Sequence, residues 1–180
     1  FTKVGVPDSK GALYFLRNNW DDDLHVEKID PGGAVDWTSP NLGNYLARPA
    51  LDASDHVIVT SYNDSLHDVV LTKLAADGSV LWARHFAGDS LSPPAVGPGD
   101  VVVLSYAESA GAVHVAATSS AGDAVYDTIL PEPSPQNAWG SPIAISSDGV
   151  TLARTSSWSV ALSALGQILW ATAIDESLEY

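Results

Sequence analysis

Apolar positions along the chain fall in short runs broken by polar turns. Val57-Ile-Val-Thr-Ser-Tyr62 and Val69-Val-Leu-Thr-Lys-Leu74 are separated by Asn63-Asp-Ser65. Pro49-Ala-Leu51 and the polar turn Asp52-Ala-Ser-Asp55 precede them, and Asp77-Gly78 leads from them into Ser79 to Phe86. Runs of this length, bounded by Asp, Asn, Gly and Pro, predict strands. Asp-Gly between two of them predicts a tight hairpin, because glycine adopts positive φ at little steric cost. No window sustains a 3.6-residue apolar period with caps, so no long helix is expected.

The pattern repeats. Gly33, Gly78, Gly122 and Gly166 are spaced 45, 44 and 44 apart, and Trp37, Trp82, Tyr126 and Trp170 share those spacings. Ile29, Leu74, Thr118 and Leu162 form a third column with the same period. Ala12-Leu-Tyr-Phe-Leu16 and Val101-Val-Val-Leu104 stand where Val57 to Ser61 stands. A unit of four short antiparallel strands cannot bury both faces alone, whereas units stacked face to face around an axis can. The expected fold is therefore all-β: a β-propeller of four blades of about 44 residues, either a small four-bladed ring or a segment of a larger one. Residues 1–180 form one such domain, with approximate repeats 1–38, 39–83, 84–127 and 128–180. The fourth gains residues at Pro131-Glu-Pro-Ser-Pro135 and loses a similar number near Ser156-Ser157. Trp37, Trp82 and Trp170 are expected to pack between neighbouring blades. The first and last repeats share one phase, so no shared blade is expected to clasp the ring, and an open end would leave apolar faces.

Ile29-Asp30-Pro-Gly-Gly33-Ala-Val-Asp-Trp37 resembles the repeat of the pyrroloquinoline-quinone-like propeller family, Ala-x-Asp-x-x-Gly-x-x-x-Trp. The resemblance extends over all four repeats, although the Asp column reads Asp30, Ala75, Ser119 and Ser163. It implies a propeller. Quinoprotein dehydrogenases of the family hold their quinone on a disulfide between adjacent cysteines, and this chain has no Cys. Other relatives are non-catalytic scaffolds for protein or carbohydrate contact, and that is the role the resemblance implies here.

Charge and composition narrow the partners. Eight Lys and Arg face 22 Asp and Glu, for a net charge of −14. Phosphate backbones and anionic membranes are bound by clustered basic side chains, so neither nucleic acid nor such a surface is expected. No stretch has the length and apolarity of a membrane span. Zero Cys removes thiol catalysis and thiolate metal sites. The chain begins at Phe1 and holds no Met, which suggests a processed product or a piece of a longer one. The expected location is extracellular, at the cell surface or periplasmic.

Chemistry is sparse. Trp20, Tyr45 and Trp139, with the acidic turn Asp21, Asp22 and Asp23, lie outside the repeat columns, in loops that emerge on one propeller face. They are the candidate ligand-binding residues, for a protein or a glycan. The acidic turn reads first as solvated; calcium is the cation it would suit. No catalytic residue, metal site or other cofactor is assigned. His25 and His114 share a column, but a metal needs three or four ligands. Gly88-Asp-Ser-Leu91 spells an esterase nucleophile motif, yet it falls one period after Gly43-Asn-Tyr-Leu46 and lacks the strand-to-helix turn that chemistry requires. The expected function is a non-catalytic binding or assembly module. Alternatives are a fragment of a quinone- or metal-dependent enzyme and a structural subunit that self-associates, or takes further blades from another chain, through open blade faces.

Overall fold

The computed structural model describes residues 5–18, 24–63, 65–108, 111–131, 143–155 and 157–174. Four antiparallel sheets follow one another along the chain. The first holds β1 (Val6–Pro7), β2 (Leu13–Asn18), β3 (Leu24–Ile29) and β4 (Val35–Thr38). The second holds β5 (Tyr45–Leu46), β6 (Ala50–Leu51), β7 (Val57–Asn63), β8 (Asp68–Leu74) and β9 (Val80–Ala87). The third holds β10 (Ser90–Leu91), β11 (Ala95–Val96), β12 (Val102–Ala107), β13 (Val113–Thr118) and β14 (Ala124–Ile129). The fourth holds β15 (Ile143–Ile145), β16 (Thr151–Arg154), β17 (Trp158–Leu162) and β18 (Ile168–Ala173). Each sheet is ordered as its strands occur in the chain, and none borrows a strand from another, so no clasp forms among the described residues. Their one helical turn is a 3-10 turn at Pro98–Asp100.

In the second and third sheets the first strand is split. β5 and β6 both pair with β7, and β10 and β11 both pair with β12. The stretch Gly88-Asp-Ser-Leu91 thus opens the third sheet as Gly43-Asn-Tyr-Leu46 opens the second. Asp89 N donates to Ala107 O at 2.9 Å, and Asn44 N to Tyr62 O at 2.9 Å.

The hairpins between third and fourth strands are alike. Each has a register shift just before its turn, at Lys28/Ile29, Lys73/Leu74, Ala117/Thr118 and Ala161/Leu162. Each turns on a glycine with φ between +76° and +96°, the left-handed position of a bulged hairpin. The former Asp column supplies a turn acceptor. Asp30 Oδ1 receives Ala34 N at 2.9 Å, and Ser119 Oγ and Ser163 Oγ receive Asp123 N and Gln167 N, each at 3.1 Å. Serine keeps the acceptor, so the turn survives the loss of Asp. At the Ala75 turn, Asp77 Oδ1 takes Ser79 N instead, at 3.0 Å.

Successive sheets enclose three separate apolar cores. Tyr14, Val26, Val57, Val59 and Leu74 fill the first seam. Ile58, Leu71, Phe86, Leu104 and Tyr106 belong to the second, and Val103, Val115, Val160 and Leu162 to the third. Alternating residues of β7 and β12 therefore enter different cores, so both faces of the middle sheets are dry.

The terminal aromatics lock one sheet to the next. A Cβ on Gly78 would stand 2.6 Å from the Trp37 ring, one on Gly122 3.0 Å from Trp82, and one on Gly166 2.5 Å from Tyr126. Trp37 Nε1 donates to Ala76 O at 2.7 Å and Trp82 Nε1 to Ser120 O at 3.1 Å, each two residues ahead of the glycine. The expected inter-sheet role thus holds for Trp37 and Trp82, and Tyr126 shares it. It fails for Trp170, which is 48% exposed. Among the described residues no following sheet offers that ring a glycine.

Candidate ligand-binding groove

An open groove of about 500 Å³ lies on the second sheet beside the segment 41–44 that arrives from the first. Its origin is a mismatch in strand length. β9 runs for 8 residues, whereas β4 runs for 4. Ser39 N still reaches Val26 O at 2.8 Å, but Pro40 has no N–H to continue the ladder. Ser39 Oγ closes the strand end, accepting from Val26 N at 2.9 Å and donating to Pro40 O at 2.8 Å. The chain then crosses to the second sheet. Leu42 N donates to Leu24 O at 2.9 Å, and Gly43 N to Asn41 Oδ1 at 2.9 Å. Gly43 is required there, since its φ is +125° and a Cβ would meet Tyr62 O at 2.7 Å.

This crossing leaves Asn41, Asn44, Asn63, Ser65 and His85 as the polar lining of the groove, with Val70 and Ala83 among its apolar positions. Asn63 Oδ1 holds its own turn, accepting from Ser65 N at 3.0 Å. His85 Nδ1 lies 3.2 Å from Asp68 Oδ2, which fixes the ring's orientation. Amide and imidazole groups around an apolar strip can hydrogen-bond a polyhydroxylated ligand and cover its C–H surface.

Of the candidate residues, Trp20, Asp21, Asp22, Asp23 and Trp139 lie outside the described residues. Tyr45 opens β5 and is 67% exposed. It stands opposite Tyr62, which packs toward the third sheet. Directly opposed residues share a face, so Tyr45 is on the face of the second sheet away from the groove. Beside it, Tyr62 Oη is 3.1 Å from His67 Nδ1. Sequence reasoning placed no groove at Asn41, Asn44 or His85. The one signal was Pro40, cutting β4 short.

His25 and His114 occupy equivalent places but do different work. His25 Nδ1 is 2.8 Å from Ser39 O. His114 is buried against Tyr106, with ring centroids 4.6 Å apart, and its Nδ1 is 2.9 Å from Asp127 Oδ1. Tyr106 Oη donates to Asp127 Oδ2 at 2.7 Å. Burial, reinforced by that carboxylate, pushes the Tyr106 hydroxyl well above its ordinary pKa. Glu108 Oε1 lies 3.3 Å from His114 Nε2, an ion-pair distance without hydrogen-bond geometry. The trio could carry a proton, but Tyr106 and His114 are buried, Tyr106 against Phe86, only the Asp127 carboxylate reaches the surface, and none of the three lines the groove. It reads as a structural network. Among the described residues no group of three or more metal-ligating side chains assembles.

Similar folds are found among solved structures. A Bacteroides caccae protein of unknown function matches with a TM-score of 0.63 and 12% identity, over 93% of this chain and 59% of that one. The Dos1 propeller matches at 0.59 and 14%, over 91% and 44%. This fold is a β-propeller. A gluconolactonase from Xanthomonas campestris matches at 0.57 and 14%, over 96% and 61%. The chain spans less than two thirds of each of these propellers. At such identities the likeness is one of blades, not of chemistry. No protein-family model and no curated protein matches the chain.

Proposed function

We propose that this propeller is a non-catalytic binding module, acting outside the cytoplasm, and that a neutral carbohydrate is its ligand. The groove beside the β4 end carries this reading. It offers amide, hydroxyl and imidazole groups around an apolar strip, the composition that suits a sugar's alternating hydroxyls and C–H faces. The net charge of −14 disfavours acidic glycans.

Glycan screening followed by calorimetric titration tests it. Asn44→Ala and His85→Ala should each weaken a neutral oligosaccharide about tenfold while the melting temperature stays put. Tyr45→Ala, on the opposite face, should leave affinity unchanged. Loss of binding through Tyr45 alone would move the site to that ring. Binding indifferent to all three variants, or no neutral glycan bound at all, would end the groove reading.

A further inference from the structure

The two outer faces of the array are open halves of the joint that closes each internal seam. Leu152 of β16 is 45% exposed, whereas its repeat equivalents Tyr14, Ile58 and Val103 are buried. Leu13 of β2 is 38% exposed, whereas its equivalents Val57, Val102 and Thr151 are buried. On the fourth blade, Ala144, Leu152, Arg154 and Trp170 line an open groove of about 300 Å³. On the first blade, a Cβ at Gly33 would meet nothing within 4 Å. Trp170 is thus an aromatic without its glycine, and Gly33 is a glycine without its aromatic.

We propose that a second copy of this chain occupies these faces, the fourth blade of each copy packing on the first blade of the other. Three internal seams show how such a joint is made, and the chain carries both halves of a fourth. Trp170 would lie over Gly33 of the other copy, with Nε1 directed at Pro31 O, as Trp37 and Trp82 are directed at Ala76 O and Ser120 O. The contact is head-to-tail and closes after two copies, because four sheets from each make about eight blades, within the range of closed rings. Solved propellers of similar fold also extend well past the length matched here, this chain covering 44% of the Dos1 propeller. Net charge of −14 on each copy opposes the pairing, so association should strengthen as salt rises.

Sedimentation of the chain from about 1 to about 100 µM, in about 0.3 M salt, tests this. The expected result is a species of twice the chain mass. Trp170→Asp and Leu13→Asp, each shown folded by circular dichroism, should weaken it at least about tenfold. An equal mixture of the two variants should recover part of the association, because one seam of the mixed pair keeps both native faces. Leu66→Asp, an exposed apolar position on the β7–β8 hairpin, should change nothing. A single-chain mass throughout, an open series beyond two copies, or pairing indifferent to both face variants would overturn the proposal.

Discussion

At the scale of single residues, the most constrained polar group is Asp52. It begins the turn between β6 and β7 and is buried. Oδ1 accepts from Ser54 N at 2.8 Å and His56 N at 2.9 Å. Oδ2 meets His56 Nδ1 at 2.9 Å and Lys73 Nζ at 2.8 Å. Burial alone would raise its pKa. The Lys73 ammonium and the His56 and Ser54 contacts outweigh burial and hold the carboxyl at about 2. Lys73 also donates to Ser120 O at 3.2 Å, the carbonyl that receives Trp82, so one ammonium ties the second blade's turn to the third blade's hairpin. Lys73→Met should cost about 3 kcal/mol at neutral pH, since it strands a buried carboxylate. A carboxyl held below its unfolded pKa adds stability above that value and loses it as the pH falls through the folded one. The penalty of the variant should therefore shrink between about pH 4 and about pH 2, as urea unfolding of both proteins across that window would show.

At the scale of elements, the aromatic and the hairpin glycine act as one joint. Gly78 and Gly33 have nearly the same backbone, φ +83° and +88°, but only Gly78 lies under an indole. Alanine at either site incurs the left-handed strain of about 1 kcal/mol. Gly78→Ala must also displace Trp37, and should cost about 1–2 kcal/mol more than Gly33→Ala in thermal or urea unfolding of dilute protein. Equal costs would mean that the indole yields freely. The repeat columns were legible because glycine and aromatic recur with one period, and the bulged hairpins follow from that glycine. What the spacing left open was whether an aromatic has a neighbour to meet: Trp170 obeys the pattern of Trp37 but stays exposed, with no next blade over it among the described residues. The groove was hidden for a similar reason. Pro40 marks the end of β4, yet the gap exists only because β9 continues past it, a relation between strands far apart in sequence. Tyr45 was legible as exposed, but its face depends on its pairing with Tyr62.

At the scale of the whole molecule, stability is a chain of neighbour-to-neighbour contacts, as in other stacked repeats. The middle blades are held from both sides, and each outer blade from one. The three cores share no residue, so opening an end leaves the remaining seams intact. Hydrogen–deuterium exchange on dilute protein should therefore be graded by position. Amides of β7, β8, β12 and β13 should be the slowest, while those of β2, β3, β16 and β17 should exchange at least about tenfold faster through fraying that stops short of global unfolding. Uniform rates across all four sheets would instead mark a single all-or-none unit. Pairing of two copies should level this gradient, because in a closed circle of sheets no position is an end.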